Sequence, residues 1–487
     1  MDELILKKID LEKYVWKDLP PSNGFKGRIR LLSGGEIVQD TMNRYNKGFQ
    51  TLFFAFYVDL TSKHSASAVT DSWLSTTPIP LPTSSSDVAE WADNTFIVHK
   101  VVGPDLDLNS LRSELGQSIV PSKSGAGFIF HTHHAPFDGV GVKIVANIFL
   151  KEFASALGGA QIDKGLEWGT EMDNLLPAAC DVLRPTEPIP IHPGSDEEPT
   201  FNHPFYSATR QVMQAFANSA QTSYNLKPRQ GDPGWPTTHC QELTFSNEES
   251  ATFLKSLKGK NGSYTVAHAA HSALVMVNVY DNPPSLENSS KFVSCQFLVN
   301  ARQYLQEPYP GRNGYPGYAL SVVPHGFPLS LFFSQSGDLL PLDKKMLVTL
   351  MRLARPRDIY NGLKEMPVAF SFMIPASDIF AVWLKQLAAS GNTPDNTFRL
   401  SHDGAGEAFL DRHFQDSSGQ TLPSLKKFFI SLNLPDPGPY GAPRFLRATG
   451  ACCASIKKSN FYDLPAIANI SAIANIFMIH PQLPVYP

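Results

Sequence analysis

Dense runs of apolar and aromatic residues predict strands in the N-terminal half of the chain. The first is TLFFAFYVDL, residues 51–60, and the second runs from Gly127 to Thr132 within GAGFIFHTHH. Residues 141–159 then carry apolar positions at helical spacing and end in two glycines, which predicts a helix. The histidine-rich residues 131–134 therefore lie at a strand-to-helix crossover, where side chains and backbone amides often converge on a ligand.

The second half of the chain mixes the same two kinds of pattern. Ser246 is a predicted cap for one helix, and TVAHAAHSALVMV, residues 265–277, predicts another. Strand-type apolar runs follow at 291–302, 315–324, 366–374 and 426–434. The segment SHDGAGEAF, residues 401–409, contains a further His-Asp-Gly and is interpreted as a loop. Because both halves mix strands and helices, the predicted fold class is α/β.

The length of the chain predicts more than one structural unit. With 487 residues it exceeds what one ordinary hydrophobic core accommodates. The proline-rich and acidic segment 184–204 disfavours both helices and central strands. We therefore place an N-terminal lobe at residues 1–200, a crossover region at 201–240 and a C-terminal lobe at 241–487.

The overall composition favours a soluble globular protein over several other classes of protein. A hydrophobic content of 42% and a charged content of 18% are typical of a globular domain. The net charge of −4, with no basic stripe, argues against nucleic-acid binding. Five irregularly spaced cysteines predict neither a disulfide framework nor a zinc knuckle. A charged N-terminus and the lack of a long apolar run predict no signal peptide and no membrane span, so we expect a cytoplasmic protein.

The stretch HTHHAPFDGVG, residues 131–141, allows three interpretations. A metal site would need three or four ligands, and no second cluster of ligand-type residues accompanies these histidines. A second interpretation is a buried turn whose polar groups are satisfied internally. The third is acid–base catalysis, because histidine titrates near neutral pH and Asp138 can support the geometry of His134 across a turn with Gly139. We favour the third, expect no metal, and find no G-x-S-x-G pattern for a serine nucleophile.

Residues 133–139 spell H-H-x-x-x-D-G and resemble the signature of the chloramphenicol-acetyltransferase-like superfamily. That superfamily includes the BAHD acyltransferases, the condensation domains of nonribosomal peptide synthetases and the fungal trichothecene 15-O-acetyltransferases. Residues 299–320 are similar to the BAHD pattern in which a V-D-x-R strand precedes Y-F-G-N; the residues that match in type are Asn300, Arg302, Tyr315 and Gly317. Tyr318 stands where asparagine is usual. Residues 431–443 occupy the position of the D-F-G-W-G motif but depart from it at several positions.

The resemblance implies a fold and a role for each matching residue. Two similar α/β lobes, each a mixed sheet flanked by helices, would enclose a channel with His134 at its centre. His134 would act as the general base, without a covalent acyl-enzyme, and His133 would pack on the other side of the turn. Arg302 would pair with Asp138, which makes Asp138 a structural support. The Gly139 amide, with Ser431 and Asn433 as further candidates, would donate hydrogen bonds to the oxyanion.

The implied activity is an acyl-CoA-dependent O-acyltransferase, most simply an acetyltransferase, acting on a hydroxyl of a secondary metabolite. Acyl-CoA is the expected cosubstrate, a small-molecule alcohol is the acceptor, and a monomer is expected. Lys255, Lys258 and Lys260 are candidates for contact with the CoA phosphates, although a solvated helix end is the favoured explanation of these lysines.

Two rival functions fit the same residues. The first is a free-standing enzyme of the condensation-domain type, with a carrier-protein-bound donor or a cyclisation reaction. The second is a binding protein on a decayed enzyme scaffold. The retention of His134, Asp138, Gly139 and Arg302 argues against decay.

Overall fold

The computed structural model describes residues 14–18, 28–32, 35–45, 51–60, 125–158, 175–179, 181–182, 224, 237–244, 246–258, 264–354, 401–416, 418–433, 444–448 and 451–458. The helices are α1 (Gly35–Tyr45), α2 (Gly139–Leu157), α3 (Asn247–Leu257), α4 (Val266–Asp281) and α5 (Lys344–Leu353). The strands are β1 (Lys17–Asp18), β2 (Arg28–Ile29), β3 (Thr51–Leu60), β4 (Gly125–His133), β5 (Thr237–Thr244), β6 (Phe292–Asn300), β7 (Leu320–Pro328), β8 (Ser401–Ala405), β9 (His413–Gln415), β10 (Thr421–Asn433), β11 (Arg444–Ala448) and β12 (Ala451–Lys458). The proline-rich segment 184–204 and the predicted strand 366–374 lie outside these residues. None of the described helices is long and apolar enough to cross a membrane.

Antiparallel strands in the order β4-β3-β10-β9 form the sheet that carries the histidine stretch. Strand β3 pairs with β4 on one side and with β10 on the other. The strands predicted at 51–60 and 127–132 are both present, and the second extends from Gly125 to His133. Since β4 ends at His133, His134 is the first residue beyond this sheet.

Helix α2 covers one face of this sheet and sets the direction in which the chain leaves the histidines. Four of its fully buried apolar residues lie four positions apart, at Val142, Ala146, Leu150 and Ala154. They share one core with residues of β3, β4 and β10. Aromatic rings extend the contact: Phe54 stacks on Phe130 at 4.7 Å, and Phe128 meets Phe149 and Phe153 edge-on, each at 5.1 Å between centroids.

A second core forms around the antiparallel ribbon of β6 and β7. Helices α4 and α5 pack on it, and each begins with a side-chain cap, from Thr265 and Asp343 respectively. The predicted cap Ser246 is present at the start of α3 as a capping box with Glu249. These caps satisfy backbone amides that the first turn of a helix leaves unpaired.

His325 on β7 packs against two aromatic rings of this second core. Its centroid is 5.5 Å from that of Phe297 and 4.6 Å from that of Phe327. Burial lowers the pKa of His325 to about 4. In the unfolded chain a histidine takes up a proton below about pH 6.5, whereas the folded protein resists protonation until about pH 4. The contribution of His325 to stability is therefore complete above about pH 6.5 and falls as the pH drops towards about 4.

Replacing His325 with leucine is expected to remove this part of the pH dependence, because leucine has no proton to gain. Between about pH 7.5 and about pH 5, the free energy of unfolding of the wild type should fall by about 2 kcal/mol more than that of His325→Leu. Urea unfolding of both proteins at the two pH values measures the difference. His413→Leu replaces an exposed histidine on β9 and is the control. Equal losses in the wild type and His325→Leu would contradict the prediction.

The structure differs from two sequence predictions in the C-terminal half. Residues 401–405 form strand β8 instead of a loop, because their backbone pairs in parallel with β11 at the edge of the sheet β5-β12-β11-β8. The strand predicted at 315–324 begins only at Leu320. The carbonyls of Tyr315 and Gly317 accept hydrogen bonds from Arg302, so this part of the chain does not join the β6–β7 ladder.

Strand β10 comes from the predicted C-terminal lobe but belongs to the sheet of the predicted N-terminal lobe. It lies within the lobe placed at 241–487, yet it pairs with β3 in the lobe placed at 1–200. Phe428 stands opposite Phe56 in this pairing. The N-terminal sheet is therefore completed by a strand from the C-terminal part of the chain. Boundaries placed along the sequence do not predict this pairing.

Candidate active site

The imidazole of His134 is held in one tautomer. Its Nδ1 lies 2.7 Å from the carbonyl oxygen of Phe137. A carbonyl oxygen can only accept a hydrogen bond, so Nδ1 carries the hydrogen. In the neutral ring Nε2 is then the basic nitrogen. With a residue exposure of 7%, the ring combines burial with the tautomer that a general base needs.

Asp138 is hydrogen-bonded through both of its carboxylate oxygens. It is fully buried, and its Oδ1 accepts from the amides of Val140 at 3.0 Å and Gly141 at 2.7 Å, which caps α2. Its Oδ2 accepts from the amide of Ala319 at 2.7 Å, just before β7. The carboxylate therefore joins the start of α2 to the ribbon of β6 and β7, which is the geometry of a structural support.

Arg302 completes this buried network. Its Nη2 lies 2.8 Å from Oδ1 of Asp138, so the contact predicted from the sequence is present. Its Nε donates to the carbonyl of Tyr315 at 2.6 Å, and its Nη2 also donates to the carbonyl of Gly317. Asn300 accepts from both the Arg302 amide and Nη1. A planar and permanently charged guanidinium suits such a set of acceptors.

Gly141 allows the segment before β7 to approach α2 closely. A Cβ at this position would lie 2.1 Å from the carbonyl oxygen of Pro316 and 3.2 Å from Nη2 of Arg302. The residues on either side of Pro316 are held by Arg302 through their carbonyls. Gly141 was not predicted as a site residue from the sequence; its signal is the second glycine of Asp-Gly-Val-Gly, at the first position of the predicted helix.

Gly141→Ala is expected to destabilise the protein, because the new methyl group would meet backbone that cannot withdraw. We expect the free energy of unfolding to fall by about 1–3 kcal/mol, the usual effect of overpacking. This loss outweighs the helix propensity of alanine, which favours the variant by about 1 kcal/mol. Urea unfolding measures it. Ile148→Ala, an exposed position on the same helix, should change stability by less than about 0.5 kcal/mol. Wild-type stability of Gly141→Ala would contradict the close approach.

His133 has partners different from those of its neighbour. Its Nδ1 accepts from the amide of Ala135 at 3.0 Å, and its Nε2 lies 3.9 Å from Oδ1 of Asp40. Asp40 belongs to α1, so His133 connects the end of β4 with that helix. These contacts fit the expected packing of His133 on the other side of the turn, and its role stays a prediction.

Strand β10 brings the further predicted oxyanion donors to the level of the histidines. Ser431 pairs with Phe53, and Asn433 pairs with Thr51, which pairs in turn with His133. Two strand spacings, about 10 Å, therefore separate the backbone of Asn433 from that of β4. The part of each side chain in oxyanion binding stays a prediction.

The three candidate lysines are not all described. Lys255 and Lys258 lie exposed at the C-terminal end of α3, and Lys260 lies outside the described residues. Their exposure fits a solvated helix end as well as a contact with CoA phosphates. Within the ranges given above, no three His, Cys, Asp or Glu residues are grouped as metal ligands.

Known proteins resemble this chain in sequence and in structure. Residues 112–323 match the family model of the 15-O-acetyltransferase Tri3. The structure of the TRI3 trichothecene 15-O-acetyltransferase from Fusarium sporotrichioides is similar, with a TM-score of 0.71, 17% identity, and coverage of 96% of this chain and 99% of that one. The first condensation domain of the CDA synthetase has a TM-score of 0.51, 9% identity, and coverage of 92% and 95%. No curated protein matches the sequence significantly.

The fold and the matched region define the class of protein. Similarity to both solved structures confirms the predicted chloramphenicol-acetyltransferase-like fold of the condensation-domain type. The matched region contains β4, α2, Arg302 and the first residues of β7, and so includes the network of Asp138 and Arg302. The protein is an acyltransferase, as predicted, and over residues 112–323 it is similar to the Tri3 acetyltransferases.

Proposed function

We propose that the protein is an acetyl-CoA-dependent O-acetyltransferase that acts on a hydroxyl of a secondary metabolite, and that trichothecene-type alcohols are the first acceptors to test. The observation that carries the proposal is the tautomer of His134. Because Nδ1 donates to Phe137, Nε2 is the basic nitrogen of the neutral ring and can take up a proton in a buried site. The match to the Tri3 family model supports acetyl transfer as the reaction.

The proposed reaction needs one base and no covalent intermediate. Nε2 of His134 removes the proton of the acceptor hydroxyl as its oxygen attacks the thioester carbonyl carbon. The C–O bond forms and the carbonyl oxygen becomes an oxyanion in a tetrahedral intermediate. When this collapses, the C–S bond breaks and the imidazolium returns the proton to the CoA sulfur. The products are an acetate ester and free CoA.

The Gly139 amide is the proposed donor to the oxyanion. The Asp138 cap uses the amides of Val140 and Gly141 and does not use that of Gly139. Gly139 is the first residue of α2, where aligned peptide dipoles favour negative charge. A donor fixed there stabilises the oxyanion without reorganisation during the reaction.

Calorimetric titration with acetyl-CoA, a long-chain acyl-CoA and free CoA tests the donor, with wild type and His134→Ala compared. We expect micromolar binding of acetyl-CoA to both proteins, because His134 is proposed to move a proton and not to hold the donor. Slow release of thiol from acetyl-CoA should occur with the wild type alone. Failure to bind any acyl-CoA would overturn the CoA donor and favour a carrier-bound one.

A panel of alcohols then tests the acceptor. Purified protein with acetyl-CoA and a trichothecene bearing a free hydroxyl should give an acetate ester, detected as a mass gain of one acetyl group. Esterification of unrelated alcohols alone would retain the acetyltransferase and overturn the proposed acceptor class.

A further inference from the structure

Tyr318 packs against the proposed base. Its ring centroid is 6.0 Å from that of His134, and the two planes are tilted by 54°. This separation lies within the range at which aromatic pairs interact. Tyr318 is as buried as His134, so each ring is enclosed mainly by protein. Because the Phe137 carbonyl holds Nδ1 on one side of the imidazole, a second contact restricts its rotation further.

The backbone of Tyr318 is fixed on both sides by the buried ion pair. The carbonyl of the preceding Gly317 accepts from Arg302, and the amide of the following Ala319 donates to Asp138. Asp138 also caps α2 directly after the His134 turn. One charge pair therefore holds the Tyr318 backbone and the start of α2 in the same frame. These backbone contacts do not by themselves restrict the rotational freedom of the Tyr318 ring.

Gly35, the first residue of α1, limits that freedom. A Cβ on Gly35 would lie 1.9 Å from Cε1 of Tyr318, 2.5 Å from Cζ and 2.8 Å from Cδ1. Real Cβ atoms do not approach other atoms so closely, so any side chain at this position would displace the ring. The absence of a side chain at Gly35 thus sets where the Tyr318 ring can stand.

Helix α1 is anchored close to this contact. Arg30 forms two hydrogen bonds of 2.7 Å with the buried carboxylate of Glu36, the residue after Gly35. The guanidinium of Arg30 lies 5.2 Å from the ring centroid of Trp16. Asp40 on the same helix approaches His133. Helix α1 therefore contacts the surroundings of both histidines and is held by its own ion pair.

We propose that Tyr318 is a positioning residue that holds the His134 imidazole in its reactive orientation, and that Gly35 sets the place of the Tyr318 ring. Helix α1 thereby becomes part of the machinery that orients the base. The inference rests on the proposed role of His134 as base. The effect of the Tyr318 ring on the orientation of the His134 imidazole can be measured in the absence of turnover.

The first test is the nitrogen NMR signal of the His134 side chain in histidine-labelled protein, assigned by its loss in His134→Ala. The wild type should show the tautomer with hydrogen on Nδ1. Tyr318→Ala should shift and broaden this signal, because the imidazole gains rotational freedom. Gly35→Ala should shift it too, because the ring is displaced. Tyr318→Phe, which keeps the ring, should restore most of the wild-type signal.

The second test is a double-mutant cycle on activity. Tyr318→Ala and Gly35→Ala should each lower kcat about 10- to 100-fold, as a misplaced reactive group does, while KM for acetyl-CoA stays within about twofold. In the Tyr318→Ala background, Gly35→Ala should have no further effect, because no ring remains to displace. Tyr318→Phe should recover most of the activity that Tyr318→Ala loses.

The outcomes separate this inference from the proposed function. An unchanged His134 signal in Tyr318→Ala, or multiplicative effects of the two alanine variants on kcat, would overturn it. Should Gly35→Ala fail to fold by near-ultraviolet circular dichroism, the comparison of Tyr318→Ala with Tyr318→Phe decides the matter alone. A shifted NMR signal in a protein that transfers no acyl group would support the positioning and overturn the proposed reaction instead.

Discussion

His134→Ala is expected to reduce kcat for acetyl transfer by about 10²- to 10⁴-fold, the usual contribution of a positioned general base. The variant lacks the imidazole, whose Nε2 is the basic nitrogen because Nδ1 donates to the carbonyl of Phe137. KM for acetyl-CoA should change little, since the imidazole acts on the acceptor proton. Steady-state kinetics with thiol detection measures both constants.

The control for this variant is His413→Ala, which removes an exposed histidine from β9 and should leave kcat within about twofold of the wild type. Circular dichroism and urea unfolding of His134→Ala should show a folded protein of near wild-type stability. Turnover by folded His134→Ala at the wild-type rate would refute the role of His134 as base.

Arg302→Met and Asp138→Asn are each expected to lower the free energy of unfolding by about 3–5 kcal/mol, because each leaves an unpaired charge in the interior. Arg302 is 1% exposed and Asp138 is fully buried. Activity should fall in both variants as well, since the network holds the start of α2 beside His134. The urea midpoint and kcat measure the two effects.

The double variant Asp138→Asn/Arg302→Met separates the pair from the individual side chains. It should be more stable than the sum of the two single losses predicts, because no unpaired charge remains. Additive losses would show that the two charges do not interact. Arg312→Met, which replaces an exposed arginine in the segment between β6 and β7, is the control for loss of a guanidinium and should cost less than about 1 kcal/mol.

Local sequence signals were sufficient for the elements around the histidines. The apolar run at 51–60 and the apolar spacing from residue 141 onward reflect the burial of these elements against a core. Where such a pattern is long, its spacing distinguishes a strand from a helix. The contact between Asp138 and Arg302 was also predictable, but through resemblance to a family. Nothing in the composition connects two residues 164 positions apart.

Other features depend on tertiary contacts that no local pattern encodes. Strand β8 has the glycine-containing sequence SHDGA, and it is a strand because its backbone pairs in parallel with that of β11. Residues 315–319 look like the start of a strand, yet Arg302 takes two of their carbonyls. Gly35 and Gly141 are defined by the atoms that approach them, Tyr318 and Pro316, and those neighbours come from distant parts of the chain.

The position of β10 beside β3 has a consequence for co-translational folding of the protein. Phe428 pairs with Phe56, and 372 positions separate the two residues in sequence. During synthesis, β3 and β4 leave the ribosome early. The edge of β3 that pairs with β10 stays unpaired until most of the chain has been made. Contacts of such long range slow folding and leave an unpaired strand edge open to aggregation in the meantime. Fragments that end before residue 421 lack this strand, so co-expressed halves should regain solubility only when the second half carries β10.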